Sequence, residues 1–363
     1  MASRTTPSSD AQAGTGQHDR PRLNHLLVLT AVASAISGFL YGYDTGIVSG
    51  ALLQIRRDFD TGSGMEQVIA ASILVGAVVG ALVGSRLSEA WGRHRTILLI
   101  SLVFVVGTLA SGLAPSAVLL CAARVVLGFA VGAATQTVPM FVAELSPAQW
   151  RGRLVLTFQV AIGVGILVST IVGATGAFSW RWMVGMAAVP AAVLFFLMLP
   201  LPESPRWLVK VDRLEDARNN LQRVRTGGDL DAELREIQDL EEQERNSPTR
   251  GWSGLRKSWV RPALVVGCGV ALFTQLSGIE MIIYYTPTIL TDVGFTEHGA
   301  LLASVALAVT YLVMMLVGFA IIDRVGRRRL TLVMVPGAAT ALFVLGLVSV
   351  SYTHLTLPTN REV

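Results

Sequence analysis

Two stretches decide how this chain folds: Gly84-Ser85-Arg86-Leu87-Ser88-Glu89-Ala90-Trp91-Gly92-Arg93-His94-Arg95 and Gly318-Phe319-Ala320-Ile321-Ile322-Asp323-Arg324-Val325-Gly326-Arg327-Arg328-Arg329. Both fit the pattern G-x4-[DE]-x2-G-R-x-R. Each follows the second long apolar run of its own half, so the sequence repeats itself at equivalent topological places. Halves related by an axis along the membrane normal are a transporter design. In each stretch the acid can sit near a neighbouring helix N-terminus while the arginines pair with carboxylates on the same face. Glu89, Arg93, Asp323 and Arg327 are therefore expected in a charged latch that joins the bundles in one state and breaks in another. A basic loop that only sets topology is the plainer alternative.

Around these stretches the chain is apolar. Of 363 residues, 52% are hydrophobic and only 15% charged, against about 25% charged in soluble domains. Mean hydropathy is +0.56. Nine apolar segments run roughly 24–54, 66–86, 96–114, 117–141, 154–176, 181–201, 262–290, 299–322 and 331–350. Each is long enough for a hydrocarbon core of about 30 Å, which makes this an all-α polytopic membrane protein. The first and seventh exceed that length, so tilting or a break is expected there.

Arginines cluster in alternate loops: Arg4, Arg20 and Arg22, then Arg86, Arg93 and Arg95, then Arg151 and Arg153, then Arg324, Arg327, Arg328 and Arg329. The intervening loops carry only Arg56, Arg57 and Arg181. The positive-inside rule then places the amino terminus and the arginine-rich loops in the cytoplasm of a multi-pass cell-membrane protein. The same topology accounts for the net charge of +4 without a nucleic-acid partner. Cys121 and Cys268 stand alone in apolar runs and read as small hydrophobes. Residues 1–23 are polar and read as a disordered cytoplasmic tail with no cleavable signal. Residues 203–261 are charged and helix-prone, expected as amphipathic cytoplasmic helices linking an amino-terminal bundle, 24–202, to a second bundle, 262–350. Gly227-Gly228 and Asn246-Ser247-Pro248 break the linker into pieces.

Inside the first segment lies Gly38-Phe39-Leu40-Tyr41-Gly42-Tyr43-Asp44-Thr45-Gly46-Ile47-Val48-Ser49-Gly50. An ionised Asp44 at that depth costs on the order of 2.5–3.5 kcal/mol on insertion scales, so it needs a partner, a proton or a wet cavity. The fourth segment offers a partner of opposite sign, Arg124, followed by Gly128 and Gly132 spaced for close helix contact. A guanidinium beside the carboxylate favours its anion, while burial disfavours it. An arginine that approached and retreated would make Asp44 a proton switch; a static ion pair is the alternative. Beyond it, Pro139 and Pro147 bracket the helix end, and Glu144 and Arg151 can reach charges on adjacent loops.

The seventh segment is unusually polar, with Thr274, Gln275, Ser277, Glu280, Tyr284 and Tyr285. Gly278 and Pro287 permit local unwinding, which is tolerated where backbone lines a cavity. Amides and phenols supply donors and acceptors to a polyhydroxylated ligand. Gln159 is a lone amide in the fifth segment, as suited to joining helices as to holding ligand. His25, His94 and His298 fall at loops or ends, and no metal-ligand cluster or nucleophile–base set is apparent. The sequence therefore points away from an enzyme and names no cofactor.

In order, Gly42-Tyr43-Asp44, Gly92-Arg93, Arg124 to Gly132, Pro139 to Gly152, Pro202-Glu203-Ser204-Pro205-Arg206, Gln275-Leu276-Ser277-Gly278 with Tyr284-Tyr285, and Asp323 to Arg328 form a set. On that set, residues 25–350 resemble the sugar porter branch of the major facilitator superfamily. The resemblance implies twelve helices in two bundles that move a sugar or polyol by alternating access. It implies that Asp44 is the proton site and Arg124 its partner, as in proton-coupled members. It also implies that Tyr41, Gln159, Gln275 and Tyr284 line the sugar site, and that Glu203 and Arg206 belong to the cytoplasmic charge cluster.

The chain departs from the family pattern at Thr274, where Gln is usual, and at Glu280 and Tyr311, where Asn is usual. Glu280 is thus a second acid, expected to share in coupling or to tune the ligand towards a polyol or a positively charged group. Glu89 and Ala90 replace the usual Asp and Arg. Relative to the family, the second bundle is short by three helices, and 351–363 reads as an atypical tail of a carboxy-terminally truncated chain. The expected function is proton symport of a sugar or polyol, with uniport or a non-transporting sugar sensor as rivals.

Overall fold

The computed structural model describes residues 24–225, 229–246, 255 and 257–356. The expected amino-terminal tail, the Gly227-Gly228 break, Ser247-Pro248 and the last seven residues lie outside the described residues. Those described form helices and no strands. Among the described residues, nine helical spans are long and apolar enough to cross a membrane. They are α1 (His25–Phe59), α2 (Ser63–Trp91), α3 (Arg93–Gly112), α4 (Ala117–Leu145), α5 (Ala148–Thr175), α6 with α7 (Trp180–Gly185 and Ala188–Met198), and, after the linker, α11 with α12 (Arg261–Leu276 and Ile279–Asp292), α13 (Glu297–Val325) and α14 (Arg327–Thr356). Between the halves run α8 (Pro205–Lys210), α9 (Leu214–Val224) and α10 (Leu230–Asn246).

Helix ends follow local chemistry. The side chains of Asn24, Ser116, Ser204 and Thr296 accept from backbone N–H groups at the starts of α1, α4, α8 and α13. Pro139 does not end α4, which runs on to Leu145; Pro147 sits just before α5. The seventh span breaks at Ser277-Gly278, where Gly278 adopts φ 73°, a conformation that favours glycine. Pro287 lies within α12. The sixth span breaks at Met186-Ala187, four residues before Pro190, which cannot donate to the Met186 carbonyl.

The first half is knit by close helix contacts, α1 on α5 and α2 on α4. A methyl at Gly42 would overlap the Ile162 carbonyl, and one at Gly132 would overlap the Ala77 carbonyl. Without a hydrophobic drive between helices in lipid, such approach provides the packing attraction. Leu40, Ile47, Leu127, Phe141 and Trp180 are among the largest fully buried side chains of this half. The second half meets the first along α12 on α1 and α13 on α5. The linker docks rather than floats: Trp207, Leu208 and Val209 form a small core with Ala217, Leu221 is buried, and Val224 joins the main core of the first half.

Candidate functional site

Asp44 and Arg124 meet inside the first half. Arg124 Nη1 lies 3.7 Å from Asp44 Oδ1, and both side chains are almost wholly buried. Arg124 Nε donates to the Ile69 carbonyl at 3.0 Å. Its Nη2 is buried with no hydrogen-bond partner among the described residues. The pair thus compensates two charges that neither helix could hold alone, yet its spacing exceeds a hydrogen bond. The two charges therefore lie within ion-pair distance but not hydrogen-bond distance, and the guanidinium keeps a buried donor without a described acceptor.

A cavity of about 400 Å³ opens beside the pair. Tyr41 and Thr45 line it from α1, residues of α2 and α4 form another wall, and Gln275, Glu280 and Tyr284 close it from the second half. Asp44 is buried next to this wall through Thr45. Tyr284 is buried and lies within electrostatic reach of Asp44, Arg124 and Glu280. The Tyr41 hydroxyl donates to Glu280 Oε1 at 3.3 Å, across the two halves. Tyr311 lies within electrostatic reach of Glu280 and lines a smaller apolar cavity of about 190 Å³ between α5, α12 and α13.

Two expected ligand residues stand apart. Gln159 is exposed on α5 and is not among the residues lining the larger cavity. Thr274 is exposed and turns its hydroxyl back to the Val270 carbonyl at 2.7 Å.

On the arginine-rich face, Arg93 grips Glu144 with two hydrogen bonds of 3.1 Å, and both side chains are buried. Glu203 Oε1 accepts from the backbone N–H groups of Arg93 and His94 at 2.9 and 3.0 Å, so a carboxylate from the linker end sits on the start of α3. That is the anion position that a helix N-terminus favours. Gly92, at φ 98°, leaves room for it: a Cβ there would collide with the Glu203 carboxylate. Glu89 pairs with Lys210 and Arg206 with Glu244, both at exposed positions. Arg151 is exposed in the first turn of α5. Among the described residues, the partners of Glu89, Arg93, Glu144, Glu203 and Arg206 lie within the first half and its linker. The side chains of Asp323 and Arg327 lie outside the described residues.

The cross-half ion pair that is described lies at the opposite face, between Arg57 and Glu297. Arg56 reaches the buried Glu66 nearby at 3.2 Å. Sequence reasoning missed both pairs, because Arg56 and Arg57 were counted only for topology. It also missed Arg225, which donates to the Leu145 carbonyl at 2.7 Å and binds Glu233, pinning the linker to the end of α4. The fourfold spacing of Gly38, Gly42, Gly46 and Gly50 was a readable signal for the α1–α5 contact.

Comparison with known proteins adds an independent line. The family described as "Sugar (and other) transporter" matches residues 30–357. The chain is similar to a D-xylose transporter of Levilactobacillus brevis, 39% identical over 316 residues that cover 86% of this chain and 69% of that one. It is similar to the human proton myo-inositol cotransporter, 38% identical over 348 residues, 93% of this chain and 53% of the relative. Among solved structures it resembles the partially occluded inward-open xylose transporter XylE from E. coli, with a TM-score of 0.72 and 25% identity, covering 85% of this chain and 73% of that one.

Proposed function

We propose that this chain, which belongs to the sugar transporter family of the major facilitator superfamily, carries a sugar or polyol across the cell membrane together with protons by alternating access. Family members are transporters and not enzymes. The observation that carries the reading is the buried Asp44–Arg124 pair, with a largely apolar cavity near it whose walls come from both halves and carry Tyr41, Thr45, Gln275, Glu280 and Tyr284. A proton on Asp44 removes the charge that holds Arg124. The guanidinium, which already has an unpartnered nitrogen, then turns to other acceptors, and the packing around α1 and α4 answers. Gln275, Tyr284, Tyr311 and Glu280 supply amide, hydroxyl and carboxylate groups to the cargo, Tyr41 stands in the cavity wall beside them, and Gln159 and Thr274 reach the cargo only after a rearrangement.

In this reading the amino terminus and the arginine-rich loops are cytoplasmic. The Arg57–Glu297 contact then closes the outer face, and the described state is inward-facing. The inner charge cluster around Arg93 fixes α3, α4 and the linker as one rigid body, with the latch to the second half left to Asp323 and Arg327. The names of relatives, a D-xylose transporter and a proton myo-inositol cotransporter, support both the cargo class and the coupling.

The test is uptake of D-xylose, D-glucose and myo-inositol into proteoliposomes with and without an imposed proton gradient. Gradient-driven accumulation of at least one is the expected result. Uptake indifferent to the gradient would sink coupling in favour of uniport, and saturable binding without flux would favour a sensor.

A further inference from the structure

Glu280 is the acid that the proton reading leaves without a task. It sits in the first turn of α12, directly after the break at Gly278. There the helix begins afresh, and the unpaired N–H groups of its first turn favour a negative charge. Glu280 is half-buried and faces the cavity of about 400 Å³. Its described hydrogen-bond partner is the Tyr41 hydroxyl, at 3.3 Å. An ionised carboxylate accepts about four hydrogen bonds and donates none, so most of its capacity stays open towards the cavity. The bond it does make is long, and it joins α1 of the first half to α12 of the second.

We propose that Glu280 accepts a pair of adjacent hydroxyls of the cargo, and that the cargo takes this place by displacing the Tyr41 hydroxyl. The idea rests on the carbohydrate reading above and assigns it a recognition chemistry. Two neighbouring O–H donors fit the two oxygens of one carboxylate, whereas an amide at this place would offer one acceptor and one donor. A ligand that wins Glu280 from Tyr41 also removes a tie between the halves. Occupancy and the freedom of the halves to rock are then linked through one hydrogen bond, and the ligand that breaks it must bring a better donor than Tyr41.

The two partners of that bond therefore have opposite effects on binding. Equilibrium binding of D-xylose, D-glucose and myo-inositol is measured on the unaltered protein, on Glu280→Gln and on Tyr41→Phe, with thermal stability recorded for each. For the probe that binds, Glu280→Gln weakens affinity about tenfold and Tyr41→Phe tightens it about threefold to tenfold, the range of an ordinary single hydrogen bond and below that of a strong charged one, since this bond is long. A measurement without variants checks the same point: removing either of two adjacent hydroxyls from the probe weakens binding to the unaltered protein about tenfold. Weakening by both variants would make Tyr41 a direct ligand contact and overturn the displacement. Unchanged affinity in both, or indifference to every deoxy probe, would overturn the assignment while leaving transport standing. No binding of any probe to the unaltered protein would overturn the carbohydrate reading with it.

Discussion

Asp44 and Glu280 are both carboxylates within membrane-spanning helices, one in each half, and they are held in opposite ways. Asp44 is only 4% exposed and faced by a guanidinium from α4. Glu280 is half-buried at a helix start, faced by a phenol, and opens on a cavity. In the proposed reading Asp44 is the switch, because changing its protonation leaves Arg124 uncompensated. Glu280, with one weak neutral donor, is the proposed recognition group, because its spare acceptors are open to a ligand. Glu203 is a third arrangement, an acid satisfied by backbone N–H groups, and it serves as a structural cap.

The comparison breaks most readily at Arg124. Arg124→Leu leaves Asp44 without its cation in an apolar setting, and the expected loss is about 3–5 kcal/mol. Thermal unfolding in detergent measures it, and restoration by a second change, Asp44→Asn, separates the unpaired charge from lost packing. Next in size is Gly42→Val. The added side chain meets the Ile162 carbonyl, so α1 must leave α5, at about 1–3 kcal/mol for overpacking. Glu203→Ala removes the acceptor at the start of α3 and should cost about 1–2 kcal/mol, in the range of other helix caps. Glu280→Gln should be the mildest, under about 1 kcal/mol, since one long hydrogen bond to a half-buried group is at stake. A Glu280 variant as unstable as the Arg124 variant would erase the distinction drawn between the two acids.

Much of the fold was legible because membrane spans are written in length and hydropathy. The nine apolar runs became nine spans, and Gly278 marked the break in the seventh, since a backbone at positive φ calls for glycine. The break at Met186-Ala187 falls four residues before Pro190, which lacks the N–H that would bond the Met186 carbonyl, and the Val189 N–H takes that carbonyl instead. Asp44 and Arg124 drew attention to each other because opposite charges in apolar runs have few other ways to be satisfied. Gln159 illustrates the limit: a lone amide says that a polar group is present but not which side of α5 it occupies. The docking of the linker through Arg225, and the seat of Glu203 on α3, depend on contacts over 80 and 110 residues, beyond the reach of any local pattern.

The central claim is that the two acids divide the work, one carrying the proton and the other the cargo. Gradient-driven uptake in proteoliposomes at saturating substrate, compared between Asp44→Asn and Glu280→Gln, tests it most directly. The account predicts that Asp44→Asn loses accumulation against a gradient while substrate counterflow survives, and that Glu280→Gln still accumulates substrate once its weaker affinity is saturated. Full proton-driven accumulation by Asp44→Asn, or its loss in Glu280→Gln at saturation, would contradict it.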